Sequence, residues 1–109
     1  MVKSQQDALE IAVKARQNLE QIYGKRLRGV YLYGSAARGQ LTPDSDIDIA
    51  VILDLITDRF DEHERISQLA SDMSLEHDTL VSFLFVREAD YQKGRFAVHR
   101  IIKEEGIPA

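Results

Sequence analysis

The sequence predicts an α/β domain, from two patterns and a length. Three short runs rich in β-branched and aromatic residues, Gly29 to Tyr33, Asp46 to Leu53 and Thr79 to Val86, read as strands. Between and around them, apolar residues recur at helical spacing. At 109 residues the chain has room for one core, so one domain over 1–109 is expected, burying about two thirds of its surface.

Taken in order, Ser4 is the N-cap of a first helix, with Ala8, Ile11, Ala12, Ala15, Leu19 and Ile22 on its apolar face and Gly24 as its stop. Lys25-Arg26-Leu27-Arg28 is a basic connection into the first strand. After Tyr33, Gly34 turns the chain, Ser35 caps a helical turn through Arg38, and Gly39 closes it. Thr42-Pro43-Asp44-Ser45 is turn chemistry, with proline setting φ and the polar side chains free to bond nearby backbone. In the second strand, Asp46, Asp48, Ala50 and Ile52 share one face and Ile47, Ile49, Val51 and Leu53 the other. Asp58 opens a further helix with Ile66, Leu69, Ala70, Met73 and His77 on one side. The almost wholly apolar run from Thr79 to Val86 suits a strand covered on both faces. The segment from Ala89 to Glu105 is helical in pattern, broken near Gly94, and Gly106-Ile107-Pro108 ends it.

Composition removes several classes of function. With no cysteine there is no disulfide, thiolate metal site or cysteine nucleophile. The net charge of -4 argues against direct binding to duplex nucleic acid, which needs a face of Lys and Arg that outweighs the acids. No apolar stretch approaches the roughly 18 residues that cross a bilayer. Met1 to Asp7 carries no apolar signal segment, so a cytoplasmic protein is expected.

The chemistry is concentrated between Val30 and Val51. A helical turn begun at Gly34-Ser35 offers unpaired N–H groups to an anion, glycine allows close approach, and serine adds a hydroxyl. Arg38 follows, where its guanidinium can meet the same phosphates. Asp46 and Asp48, about 6.6 Å apart along one strand face at about 3.3 Å per residue, suit magnesium, which takes oxygen ligands from carboxylates and phosphates. At average residue frequencies this combination arises by chance in about one chain of this length in a thousand. A merely solvated acidic turn would not need both acids on one phase of an apolar strand.

Gly34-Ser35-Ala36-Ala37-Arg38-Gly39 followed by Asp46-Ile47-Asp48 resembles the minimal nucleotidyltransferases of the DNA polymerase beta-like superfamily. The resemblance covers nearly the whole chain, down to Lys103-Glu104-Glu105-Gly106-Ile107. It implies a small mixed sheet flanked by helices in the palm fold of that superfamily, with Mg2+, two ions being possible, and ATP as the substrate. It implies transfer of a nucleotide, commonly AMP, to a hydroxyl. Gly34, Ser35 and Arg38 would bind the nucleotide, and Asp46 and Asp48 would be the catalytic metal ligands. Many such proteins are the antitoxin of a helical HEPN ribonuclease toxin, neutralised by binding or by adenylylation of a tyrosine.

The superfamily usually adds a third carboxylate from a later strand, where this chain has Ser82. Asp78, in phase with Ser82, is the candidate third metal ligand, with Glu76 the other acid nearby. The missing acid keeps open a non-catalytic antitoxin that blocks its toxin sterically. Transfer to a small molecule such as an aminoglycoside is disfavoured, because its pocket needs an added helical domain. A homo-oligomer is possible, since an unpaired sheet edge invites pairing. His63, His77 and His99 lack ligand spacing. Lys25, Arg26 and Arg28 could steer triphosphate but read rather as a solvated connection, Tyr31 and Tyr33 as core, Asp54 and Asp58 as loop residues, and Arg95 and Arg100 equally as surface or as facing a partner.

Overall fold

The computed structural model describes Val2 and residues 4–109; Met1 and Lys3, in the stretch read above for a signal segment, lie outside the described residues. Helix α1 (Gln5–Tyr23) begins as its sequence predicts, with the Ser4 side chain accepting from the Asp7 backbone N–H, and ends at Gly24. Its buried face is Ala8, Ile11, Ala12, Ala15, Leu19 and Tyr23. Ile22, assigned to that face from the sequence, is 40% exposed, because the stripe advances four residues from Leu19 to Tyr23 rather than three.

Strands β1 (Leu27–Tyr33), β2 (Ile47–Leu53) and β3 (Val81–Arg87) join a fourth, β4 (Ile107–Pro108), in the order β3-β2-β1-β4. β1 is antiparallel to β2 and β4, and β2 is parallel to β3. The expected mixed sheet is therefore present. β4 leaves no trace in the apolar pattern, being two residues long with a proline that only a sheet edge tolerates.

The two phases of β2 feed two separate cores. Ile47, Ile49, Val51 and Leu53 pack with the buried face of α1 and with Val30, Leu32, Val81, Phe83 and Phe85. Ala50 and Ile52 pack on the opposite face with Val86 and Ile102, beneath Tyr31, Tyr91 and Val98. β3 lies at the sheet edge, so the coverage expected on both faces is incomplete: Ser82 is exposed and Leu84 half-buried.

The single helix expected from Asp58 is two, α2 (Arg59–Arg65) and α3 (Ser67–His77), separated at Ile66. Asp58 caps the first. At the break the Ser67 hydroxyl donates to the Glu64 carbonyl, competing with the backbone ladder. Beyond β3, α4 (Glu88–Lys93) and α5 (Ala97–Glu105) are divided at Gly94, as the sequence predicts.

One buried acid ties α1, the short turn that leads from it into β1, and α2 together. Glu62 is 4% exposed and accepts from the Tyr23 hydroxyl at 3.0 Å, Arg26 at 2.8 Å and Arg65 at 3.2 Å. Arg26, read as part of a solvated connection, is thus a structural anchor that also reaches Asp54. Burial pushes the Glu62 carboxyl up, but the hydrogen bonds from Arg26, Tyr23 and Arg65 outweigh it and hold it below its ordinary value. Such a group adds stability above its unfolded-state value of about 4.3 and loses it as pH falls through the folded value. Denaturant melts from neutral pH down to about pH 3 should show a steeper loss of stability for the native chain than for Glu62→Gln. Parallel curves would remove Glu62 as the acid-sensitive element.

Candidate active site

β1 ends at Tyr33, whose partner across the sheet is Asp48. Gly34, at φ +76, turns the chain into one helical turn. Arg38 N–H donates to the Gly34 carbonyl, while Gly39 and Gln40 donate back to Ala36 and Ser35, and Gly39 at φ +70 closes the turn. Ala36 and Ala37 are buried against the larger core, and the Gln5 amide clamps the Ala37 carbonyl at 2.7 Å. The turn predicted through Arg38 is therefore present, but its predicted cap is not. Among the described residues the Ser35 hydroxyl bonds to no protein group, and the N–H groups of residues 35–37 donate to no backbone carbonyl.

Asp48 lies directly against this turn. A Cβ built on Gly34 would fall 2.5 Å from Asp48 Oδ2, so only glycine lets the carboxylate occupy that place. Asp48 is half-buried and Asp46 exposed. Burial and the neighbouring Asp46 charge both push the Asp48 carboxyl above its ordinary range, and Arg38 pulls it down. Burial, then the Asp48 charge, raises the Tyr33 phenol to about 12. The strand start is fixed by its neighbours: Thr42 and Ser45 bond one another, and Ile47 N–H donates to the Leu80 carbonyl at 2.9 Å.

The structure thus brings together Gly34, Ser35, Arg38, Asp46 and Asp48, and among the described residues Asp78 forms no metal-holding cluster with the two acids. Ser82 stands opposite Asp48 in the β2/β3 register. Asp78 instead caps α3 in the left-handed conformation, its N–H donating to Leu75 and Ser74. That turn breaks the strand phase on which its assignment rested. Glu76 pairs with Lys14 at 3.2 Å. Among the described residues no three His, Asp or Glu side chains cluster to hold a metal ion. The donor set at hand is two carboxylates with no nitrogen or sulfur ligand, beside a turn with free N–H groups. That set fits a hard, oxygen-seeking cation bound together with an anion.

One contributor escapes sequence reasoning. Arg38 donates to Gln40 Oε1 at 3.0 Å and to Glu105 Oε2 at 3.1 Å, across 67 positions of chain. Because Ile107 pairs with Leu32, α5 ends at the same end of β1 as Gly34. The only local signal is Gly106, where a side chain would run into the Ile102 carbonyl. The histidines remain apart from the site, His99 being buried with its Nδ1 accepting from Phe96 N–H.

Comparison with known proteins agrees with this geometry. Residues 9–107 match the family described as nucleotidyltransferase domain. Two Methanocaldococcus jannaschii proteins, both provisionally named protein adenylyltransferases, are similar. One is 29% identical over 89% of this chain and 93% of its own length, the other 30% identical over 70% and 76%. Among solved structures, a chain from a toxin–antitoxin complex with AMP-PNP superposes with a TM-score of 0.61 at 21% identity, over 87% of this chain and 69% of that one. A chain from the complex of tri-AMPylated Shewanella oneidensis HEPN toxin with its MNT antitoxin gives 0.59 at 21%, over 93% and 70%. These distant likenesses share the fold. With the family matched along nearly its whole length, the chain belongs to the nucleotidyltransferase domain family.

Proposed function

We propose that this nucleotidyltransferase moves AMP from ATP to a hydroxyl of a partner protein, a HEPN-type toxin for which the chain is the antitoxin. The observation that carries the reading is the Asp48 carboxylate seated against the Gly34 turn, beside Asp46 and within reach of Arg38. The names of the similar archaeal proteins and the fold shared with toxin–antitoxin chains support the acceptor and the partner.

Asp46 and Asp48 would hold magnesium, which supplies positive charge to the triphosphate and makes the acceptor hydroxyl more acidic. The N–H groups of residues 35–37 and the Ser35 hydroxyl bind phosphate oxygens, and Arg38 offsets the charge that builds on the leaving pyrophosphate. The hydroxyl oxygen bonds to the α-phosphorus as the link to the β-phosphate breaks. Ser82 cannot take the released proton, so it passes to water.

Steric neutralisation without transfer is the second reading, favoured by Ser82 standing where a third carboxylate is expected. Labelled ATP, magnesium and the co-purified partner separate the two. Label on the partner that vanishes in Asp46→Ala and Asp48→Ala supports transfer, whereas tight binding with no label supports blockade. Magnesium-ATP at a hundred times its Kd should also raise stability by about 2.7 kcal/mol, read as a shift in the melting curve. An unshifted curve for the folded protein would remove nucleotide binding.

A further inference from the structure

We infer that Glu105 is a specificity-determining residue of this site, one that occupies Arg38 and so reserves the phosphate turn for metal-complexed nucleotide over free polyphosphate. The inference rests on the nucleotide reading above and adds to it a residue outside the motif. Arg38 is the cation in electrostatic contact with Asp48, and its Nη1 already donates to Glu105 at 3.1 Å while its Nε is given to Gln40. Two carboxylates, Asp48 and Glu105, therefore share one guanidinium, and the Asp46 charge acts on Asp48 from its other side, so acids outnumber the cation around this turn.

A free triphosphate approaching this turn meets net repulsion, and the arginine that would receive it is engaged. Charges this close lie well inside a Debye length of about 8 Å, so salt does not erase the effect. A magnesium-bound triphosphate differs in two ways. It carries about half the negative charge of the free form, which halves its repulsion from Glu105. It also brings a divalent cation, which the oxygens of Asp46 and Asp48 can ligate. Arg38 can then exchange Glu105 for a phosphate oxygen.

Glu105 is suited to this exchange by where it sits. It is 38% exposed as a side chain, so it can swing into water when released. Its backbone is held at the end of α5, with the Gly106 N–H closing onto Ile102 and the next residues paired to β1. The carboxylate is thus a fixed rival for Arg38, acting through the arginine and touching no reacting atom.

The test measures ATP binding by calorimetry, with magnesium and in EDTA, for the native chain, Glu105→Gln, Arg38→Gln and the double variant. The native chain should favour the magnesium complex by about tenfold or more, and Glu105→Gln should lower that ratio by about threefold or more, chiefly by tighter binding in EDTA. Arg38→Gln should cancel the change, because the effect runs through the guanidinium. A ratio that is unchanged or larger in Glu105→Gln, with native binding of magnesium-ATP intact, overturns the inference alone. Failure of the native chain to bind magnesium-ATP overturns the nucleotide reading, and the inference falls with it. An effect of Glu105→Gln that persists without Arg38 would make the role of Glu105 general charge, against the positioning role assigned here.

Discussion

Asp48→Asn should abolish nucleotide transfer while making the protein more resistant to heat. Even residues that only orient a metal ligand cost about 10- to 100-fold when replaced, so loss of Asp48, the ligand proposed above, should lower kcat/KM by more than about 100-fold. The stability change runs the other way because the native site holds two like charges. Burial and Asp46 raise the Asp48 carboxyl above its ordinary value, against the opposing pull of Arg38. A carboxyl raised in the folded state contributes stability below its unfolded value of about 3.9 and loses it as pH rises through the folded value. At neutral pH the Asp48 charge therefore works against folding, and a neutral amide of the same shape relieves that cost. Paired melting curves at about pH 7 should place Asp48→Asn above the native chain in magnesium-free buffer. If Asp48→Asn melts lower, its carboxylate stabilises the fold, and the pull of Arg38 outweighs burial and the Asp46 charge. If it still transfers nucleotide at the native rate, Asp48 holds no metal.

Gly34→Ala should lose both stability and transfer, and Gly39→Ala should lose stability only. At φ +76 an alanine is strained by about 1–2 kcal/mol, and each kcal/mol lowers the midpoint of a domain near this size by about 4–8 °C. Position 39 has nearly the same φ, +70, but open space around its Cβ. The comparison separates backbone strain from a second effect. At position 34 the new methyl would meet Asp48 Oδ2 and drive the carboxylate from the turn. Matched losses of stability with transfer lost in Gly34→Ala alone would show that the glycine is needed to seat the acid. Equal transfer in both variants would show that seating Asp48 against the turn is unnecessary for the reaction.

Much of this site was readable because its members are close in sequence. Gly34, Ser35, Arg38, Asp46 and Asp48 fall within fifteen residues, and strand alternation alone puts the two acids on one face. The same alternation correctly divided β2 between two cores. Counting failed where the chain leaves regular structure. Asp78 is in phase with Ser82 only if the strand extends back to it, and the left-handed turn at Asp78 ends that extension. Ile22 was misplaced by a stripe that drifts between three- and four-residue steps. The Ser67 hydroxyl, which divides a continuous apolar pattern into α2 and α3, acts through a bond that periodicity does not register.

By itself the sequence determined the helix cap at Ser4, the helix start at Asp58, the strand faces, the glycine turn and the acidic pair, because each depends on neighbours within a few residues and on fixed backbone periods. Only the tertiary structure decided that β4 closes the sheet beside β1, that Glu62 gathers Tyr23, Arg26 and Arg65, and that Glu105 meets Arg38. Those contacts join residues distant along the chain, and they exist because burying both faces of one sheet brings its covering helices to the same edge as the motif.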